Sequence, residues 1–384
     1  MTVISAGTVV GSTVLSPGWL EVGGELIAAV GEGVPARPSD VSLPEGLLVP
    51  GFVDMHVHGG GGAAFDSCDA GEIARAVAFH RVHGTTSCLA SLVTAHPEVL
   101  RSAVGVLRSC GDEGLVEGVH LEGPWLSGAH AGAHPPEHLR DPDPAEVDQL
   151  LCAGLPAVRM ITLAPERPRG LELIERLVDA GVLVAIGHTD ATYAVTRAAI
   201  DAGARVGTHL FNGMRPIHHR EPGPALALLE DPRVTVEMIA DGLHLHPAVE
   251  HHILGTAGPD RVATVTDAMA AAGMGDGVYR LGRRAVQVVD GEACLEGTRT
   301  LAGSTTTMEA SFRRLVRLLE DRGTEEALAA AVEVTATTPA RTLGLADRGS
   351  LEAGRRADLV LLDSELDVIA VMRRGRWLVG AGAG

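Results

Sequence analysis

His56 and His58, in VDMHVHGGGG, are the first residues of the chain whose type and spacing can do chemistry. Residues i and i+2 of a β-strand face the same way. Both imidazoles therefore lie on one side, where neutral ring nitrogens can hold a metal ion. The four glycines that follow let the backbone turn sharply or come close to another group, here read as leaving room beside a substrate pocket. Alone, the pair is as readily two ordinary histidines at a strand end. Further along, however, Glu122 closes GVHLEGP, His188 closes VLVAIGHT, His209 sits in VGTHLFNG, His244 follows IADGLH, and Asp267 ends VATVTDAM. These types together are a donor set for a divalent ion. Such an ion lowers the pKa of water from about 15.7 toward about 7 and polarises a carbonyl oxygen. Asp267, on another strand and expected opposite the histidines in strand order, can take the water's proton and return it to a leaving amine. The chemistry is hydrolysis of an amide-like bond. His120, just before Glu122, is read as facing away and packing. His80, His83, His96, His251 and His252 fall in helix or loop contexts and are read as bystanders.

The elements that must position these residues are short apolar runs alternating with amphipathic segments. Eight runs are distinguishable: GFVDMHVHG, TTSCLASLVT, GVHLEGP, VRMITLAPE, VLVAIGHT, VGTHLFNG, VTVEMIADGLH and VATVTDAM. Stretches such as AGEIARAVAFHRVHG and LELIERLVDAG lie between them, apolar at three-to-four spacing and closed by glycine. Nearly continuous apolar strands alternating with helices indicate a parallel sheet covered by helices. Eight such units fit an α/β fold, a closed (β/α)8 barrel of the TIM type, whose active sites sit at the C-terminal strand ends. The candidate residues all lie at such ends. Residues 1–48 and 347–384 read instead as short strands and are expected to form one small β-sandwich built from both chain ends, with the barrel spanning 49–346. Gly277–Glu296 reads as a small hairpin insertion.

Composition narrows the class. Hydrophobic residues make up 46% of the 384, enough for a sizeable core, while aromatics are only 3%, so aliphatic side chains must fill it. A formal net charge of −18 argues against nucleic-acid and anionic-membrane partners. Five widely spaced cysteines without a CxxC read as reduced thiols. No apolar run reaches membrane-span length, and the N-terminus lacks a signal-peptide core, so a cytoplasmic location is expected. No lysine occurs: all 31 side chains in the lysine-plus-arginine count are arginine. That removes Schiff-base chemistry, a P-loop lysine and a carbamylated-lysine metal bridge.

PGFVDMHVHG near the start, ADLVLLD near the end and the flanking β segments resemble the amidohydrolase superfamily. Within it, HGGGG, HLEGPWL, GAHPPE, GHTDAT, THLFNGM, HHREPG, DGLHLHP, TDAMAAAGM and LAGSTTTM resemble the N-acetylglucosamine-6-phosphate deacetylases. The resemblance covers the whole chain. It implies hydrolysis of N-acetylglucosamine 6-phosphate to glucosamine 6-phosphate and acetate, with one or two divalent ions such as zinc or iron per chain. By motif match it implies Glu122, His188 and His209 as ligands of the principal ion, and Asp267 as general base and then acid. His244 is matched as the residue that polarises the acetyl carbonyl, His134 as a sugar contact, and Asn212 and Gly213 as backbone contacts to phosphate. Arg220 matches an arginine inserted from the neighbouring subunit, which implies a homodimer. Some family members lack one of the HxH histidines; this chain keeps His56 and His58, so a second ion bridged by Glu122 fits the pattern. Gly213 stands where alanine is usual. Three alternatives remain at this stage: deacetylation of another N-acetylhexosamine phosphate such as N-acetylgalactosamine 6-phosphate, a cyclic-amide amidohydrolase, and a non-catalytic scaffold.

Overall fold

A computed structural model describes residues 1–380, so the last four positions of the expected 347–384 segment lie outside the described residues. The chain forms two compact units. One comprises Met1–Asp54, Ala78–Ser87 and the residues from Thr307 onward. Its centre is an eight-stranded mixed sheet in which both chain ends meet along Val41–Pro50. Thr2–Val10 pairs with that strand in parallel, and Leu359–Leu362 pairs with it antiparallel. Ile4, Leu20, Ile27, Leu48, Leu359, Leu361 and Met372 fill one apolar cluster there. The alternating burial of Gly18–Gly23 is that of a sheet with one wet face.

The other unit comprises Met55–Val77 and Cys88–Thr306. Most of an eight-stranded sheet lies in it, the barrel strands following sequence order and the first two beginning at residues counted with the first unit. They are Phe52–Val57, Thr85–Val93, Gly118–Glu122, Val158–Leu163, Leu183–Ile186, Val206–Gly207, Thr235–Ile239 and Val262–Val265. From the second strand to the eighth, neighbours pair in parallel. Every residue of the second and third strands is buried, which is why these segments read as unbroken apolar runs. The intervening helices start at recognisable caps. Asp143 accepts from the backbone N–H groups of Ala145 and Glu146, and Thr192 from that of Val195. Helix Gly170–Asp179 buries Leu173, Ile174 and Leu177 along one stripe.

The ring closes just past the eighth strand. Asp267 N–H donates to His56 O at 2.9 Å, and His58 N–H donates to Ala268 O at 2.8 Å. Closure makes the first and last strands neighbours, so Asp267 stands beside His56 and His58 rather than opposite the histidines. Two further expectations are refined. The glycines after His58 form a hairpin: Gly59 and Gly60 pair with Ala64 and Ala63, and Gly61 and Gly62 turn the chain at φ 60° and 77°. Positive φ at both central positions is the geometry of a tight hairpin turn, which glycine adopts without strain. The segment after Gly277 is a three-stranded antiparallel sheet rather than a single hairpin. Its inner face buries Leu281, Val286 and Val288 with Met269 and Val93. Among the described residues, no helix is long and apolar enough to cross a membrane.

Candidate functional site

Glu122, at the end of the third barrel strand, sends one carboxylate oxygen to each of two histidine pairs. Its Oε1 lies 2.8 Å from His188 Nε2 and 3.0 Å from His209 Nε2. Its Oε2 lies 3.2 Å from His58 Nε2 and 3.6 Å from His56 Nε2. Asp267 Oδ1 approaches the second pair at 3.2 Å from His58 and 3.5 Å from His56. All six side chains are buried. Three of them sit on left-handed backbone, His188 at φ 46°, His209 at 26° and Asp267 at 49°. Such strain persists only where surrounding structure over-determines it, and it concentrates at functional sites.

The ring protons show what the pairs are built to hold. His56 Nδ1 donates to Glu237 Oε2 at 3.0 Å, His58 Nδ1 to the Ser91 carbonyl at 3.2 Å, and His188 Nδ1 to the His130 carbonyl at 2.8 Å. A neutral ring whose Nδ1 donates carries a bare lone pair on Nε2. The Nε2 atoms of His56 and His58 converge to 3.2 Å, and His188 Nε2 lies 3.1 Å from His209 Nε2, whose Nδ1 has no hydrogen-bond partner among the described residues. Lone pairs facing at that distance require a cation between them, either a proton or a metal ion. Burial pushes the His58 ring down, but its bonds to Asp267 and Glu122 outweigh this and raise it to about 9. Burial likewise pushes the Asp267 carboxyl up, and His56 and His58 pull it down to about 2. Outer donors that fix the tautomer, converging inner nitrogens and a shared carboxylate are the arrangement of a metal site. The residues fit a divalent ion.

His134 differs. By distance it also groups with Glu122 and His188. The Thr94 backbone N–H donates to its Nδ1 at 3.2 Å, and burial, with His188 nearby, depresses the ring to about 4. The neutral ring thus carries its proton on Nε2, directed at Glu122 Oε2 3.4 Å away. His134 is a donor to the carboxylate, and His209 supplies the second ring nitrogen beside Glu122 Oε1.

A cavity of about 330 Å³ opens above the carboxylate, lined by Glu122, His134, His188, His209, Asn212, Gly213, His244 and Asp267 among others. His56 and His58 lie beneath it. His244 Nδ1 donates to Asp241 Oδ2 at 2.7 Å, which orients Nε2; burial lowers this ring's pKa, but the Asp241 bond more than compensates and leaves it raised. Asn212 donates to the His209 carbonyl at 3.2 Å. Gly213, at φ 59°, brings backbone so close that a Cβ would stand 2.8 Å from His188 Nδ1. Arg220 is not brought to this cavity: it is exposed and pairs with the adjacent His219 ring.

Besides Asp267, a second residue stands elsewhere than its sequence position suggested, and others carry roles the sequence did not reveal. His120 does not face away: two residues from Glu122 on one strand, it shares its face. It bonds Ser91 Oγ at 2.9 Å and Thr162 Oγ1 at 2.8 Å, with its ring edge-on to His56. Glu237 and Asp241, which hold His56 and His244, were missed, as was Arg299 in the cavity wall. A lone carboxylate inside VTVEMI was the available signal for Glu237.

Residues 47–378 match the amidohydrolase family, and the chain belongs to it. Within that family its place is with the N-acetylglucosamine-6-phosphate deacetylases. It is 54% identical to the Mycobacterium smegmatis N-acetyl-D-glucosamine-6-phosphate deacetylase, solved as an alanine variant in complex with N-acetyl-D-glucosamine 6-phosphate; the match covers 98% of this chain and 99% of that one, with a TM-score of 0.96. It is 36% identical over 381 residues to the Bacillus subtilis N-acetylglucosamine-6-phosphate deacetylase, covering 94% of this chain and 93% of the relative. It is 39% identical over 373 residues to the N-acetylgalactosamine-6-phosphate deacetylase of Escherichia coli O157:H7, covering 94% and 95%.

Burial lowers the His56, His58 and His188 rings, but their carboxylate partners outweigh this and raise them, so protons that these rings hold must be displaced by an incoming ion, and metal affinity should rise with pH. Calorimetric zinc titrations of the apoprotein between about pH 6 and about pH 8, in buffers of different ionisation enthalpy, should show proton release and tighter binding at the higher pH. Binding that is independent of pH would mean the rings are neutral before the ion enters.

Proposed function

We propose that this chain hydrolyses the acetamide of N-acetylglucosamine 6-phosphate, giving glucosamine 6-phosphate and acetate. The observation that carries this reading is the buried carboxylate shared by two histidine pairs at the floor of a cavity, in a chain 54% identical to a deacetylase solved with that sugar phosphate. Glu122, His188 and His209 would hold the principal divalent ion, zinc or iron; His56 and His58, with Glu122, would hold a second and weaker one. When bound, such an ion supplies Lewis acidity, polarising a carbonyl oxygen and acidifying water.

The chain's own groups do the rest. Asp267 faces the cavity from the closing edge of the barrel, where its carboxylate accepts a proton from the attacking water. The water oxygen bonds to the acetyl carbon, the carbon–nitrogen bond breaks, and Asp267 returns its proton to the departing nitrogen. No free amide anion has to leave. His244, its Nδ1–H held by Asp241 and its pKa raised, donates in its protonated form from Nε2 to the acetyl oxygen as negative charge develops there. His134 contacts the sugar from the cavity wall, and the backbone at Asn212 and Gly213 approaches the phosphate.

Arg220 completes phosphate recognition from a second copy of the chain, so the enzyme works as a homodimer. What supports this is its placement: exposed and outside its own chain's cavity. A guanidinium suits a phosphate because two parallel charge-assisted bonds match its oxygens. The 39% identity to an N-acetylgalactosamine-6-phosphate deacetylase favours that epimer as the second reading.

Acetate release should be assayed on N-acetylglucosamine 6-phosphate, its galactosamine epimer and the unphosphorylated sugar. The glucosamine phosphate should have the highest kcat/KM. Arg220→Ala should raise its KM about 10-fold while leaving the unphosphorylated sugar unchanged. A higher kcat/KM for the galactosamine phosphate would select the second reading, and equal loss on both phosphorylated and unphosphorylated sugars would make Arg220 structural.

Asp267→Asn keeps shape and hydrogen bonding but removes the base. It should retain fold and metal while kcat falls by roughly 10²–10⁴. Loss of metal in step with activity, with added metal restoring the rate, would instead make Asp267 only a ligand.

A further inference from the structure

Glu237 lies inside the seventh barrel strand, Thr235–Ile239, and is fully buried. Its Oε2 accepts two bonds at once, from His56 Nδ1 at 3.0 Å and from the His209 backbone N–H at 3.1 Å. Its own carbonyl accepts from Leu210 N–H at 2.9 Å. His209 sits on left-handed backbone at φ 26°, and the bonds to its own N–H and to that of Leu210 clamp the peptide units on either side of it. Glu237 Oε1 has no hydrogen-bond partner among the described residues. A glutamine could make the same two acceptor bonds through its amide oxygen, so hydrogen bonding does not explain the charge. An uncompensated buried carboxylate is costly, and it is stable where adjacent groups carry positive charge. A carboxylate behind a histidine raises the basicity of the opposite ring nitrogen and fixes the ring's orientation.

We propose that Glu237 is the positioning residue joining the two halves of the metal site: through one oxygen it aims His56 Nε2 at Glu122 and holds the backbone from which His209 reaches the same carboxylate. The proposal rests on the reading that the chain binds divalent ions at both histidine pairs. Its two bonds differ in what they need. The His56 bond draws on the charge of the carboxylate, because it tunes a ligand ring. The His209 bond needs only an acceptor oxygen.

The test is metal binding, not turnover. Metal-free wild type, Glu237→Gln and Glu237→Ala are titrated with zinc against a chromophoric chelator, and the melting temperature of each apoprotein is measured. The wild type should take up two ions. Glu237→Gln should fold with a near-normal apoprotein melting temperature, keep the tighter ion and bind the other about 10–100-fold more weakly. Adding His56→Gln to Glu237→Gln should weaken that ion less than His56→Gln does in the wild type, since both changes act on one ring. Glu237→Ala should weaken both ions. Unchanged affinities in Glu237→Gln overturn the proposal. So does equal weakening of both ions together with a lowered apoprotein melting temperature, which is the behaviour of a residue that merely supports the barrel. A wild type holding a single ion overturns it as well. Acetate release by the wild type is measured separately; its failure would remove the assigned substrate and leave the metal result standing.

Discussion

Three carboxylates, Glu122, Asp267 and Glu237, are buried within reach of one another's histidines, and that concentration of negative charge is the constraint the rest of the site obeys. Their ion-pair partners among the described residues are all histidines. The chain has no lysine to neutralise them. Charge must therefore come either from protons on the rings or from a cation shared between them. Glu122 decides where such a cation can sit, because its two oxygens face different histidine pairs. In the proposed reading Glu122 is the ordinary side chain that serves both ions, in a sequence that cannot carbamylate a lysine for the same purpose.

The barrel makes this gathering affordable in space. Parallel strands present alternate side chains inward, so His56, His120, Glu122 and Glu237 arrive in one interior from separate stretches of sequence. Below the metal ligands, Ser91, His120, Thr162 and Thr208 form a hydrogen-bonded layer, with Thr162 and Thr208 oxygens 2.9 Å apart. That layer satisfies polar groups which would otherwise be buried without partners. Above them, loops with left-handed residues turn His188, His209 and Asp267 toward one point. A rigid lower layer and strained upper turns leave the ligands few alternative orientations, which is the condition for binding an ion without reorganising the site.

Much of this was legible in the sequence because strand periodicity is simple. Two histidines at i and i+2 had to share a face, and polar residues ending apolar runs had to sit at the barrel's functional rim. The same rule, misapplied, put His120 on the wrong side of its strand. Asp267 was misplaced for a different reason: chain order separates the first and eighth strands by the whole barrel, while ring closure puts them in hydrogen-bond contact. Glu237 escaped notice because its work is done on another residue's far nitrogen, and nothing in VTVEMI says which ring stands behind it. The turn made by Gly61 and Gly62 was legible as a turn.

The central claim is that one carboxylate serves both histidine pairs, and the metal content of a Glu122→Gln variant tests it most directly. The amide keeps the size of the side chain and removes its charge, so the barrel should fold. If Glu122 is shared as its two oxygens indicate, the folded variant loses affinity for both ions together, by about 10-fold or more each in a chelator-competition titration. Retention of either ion at wild-type affinity would contradict the account, because it would show that one histidine pair holds its cation without Glu122.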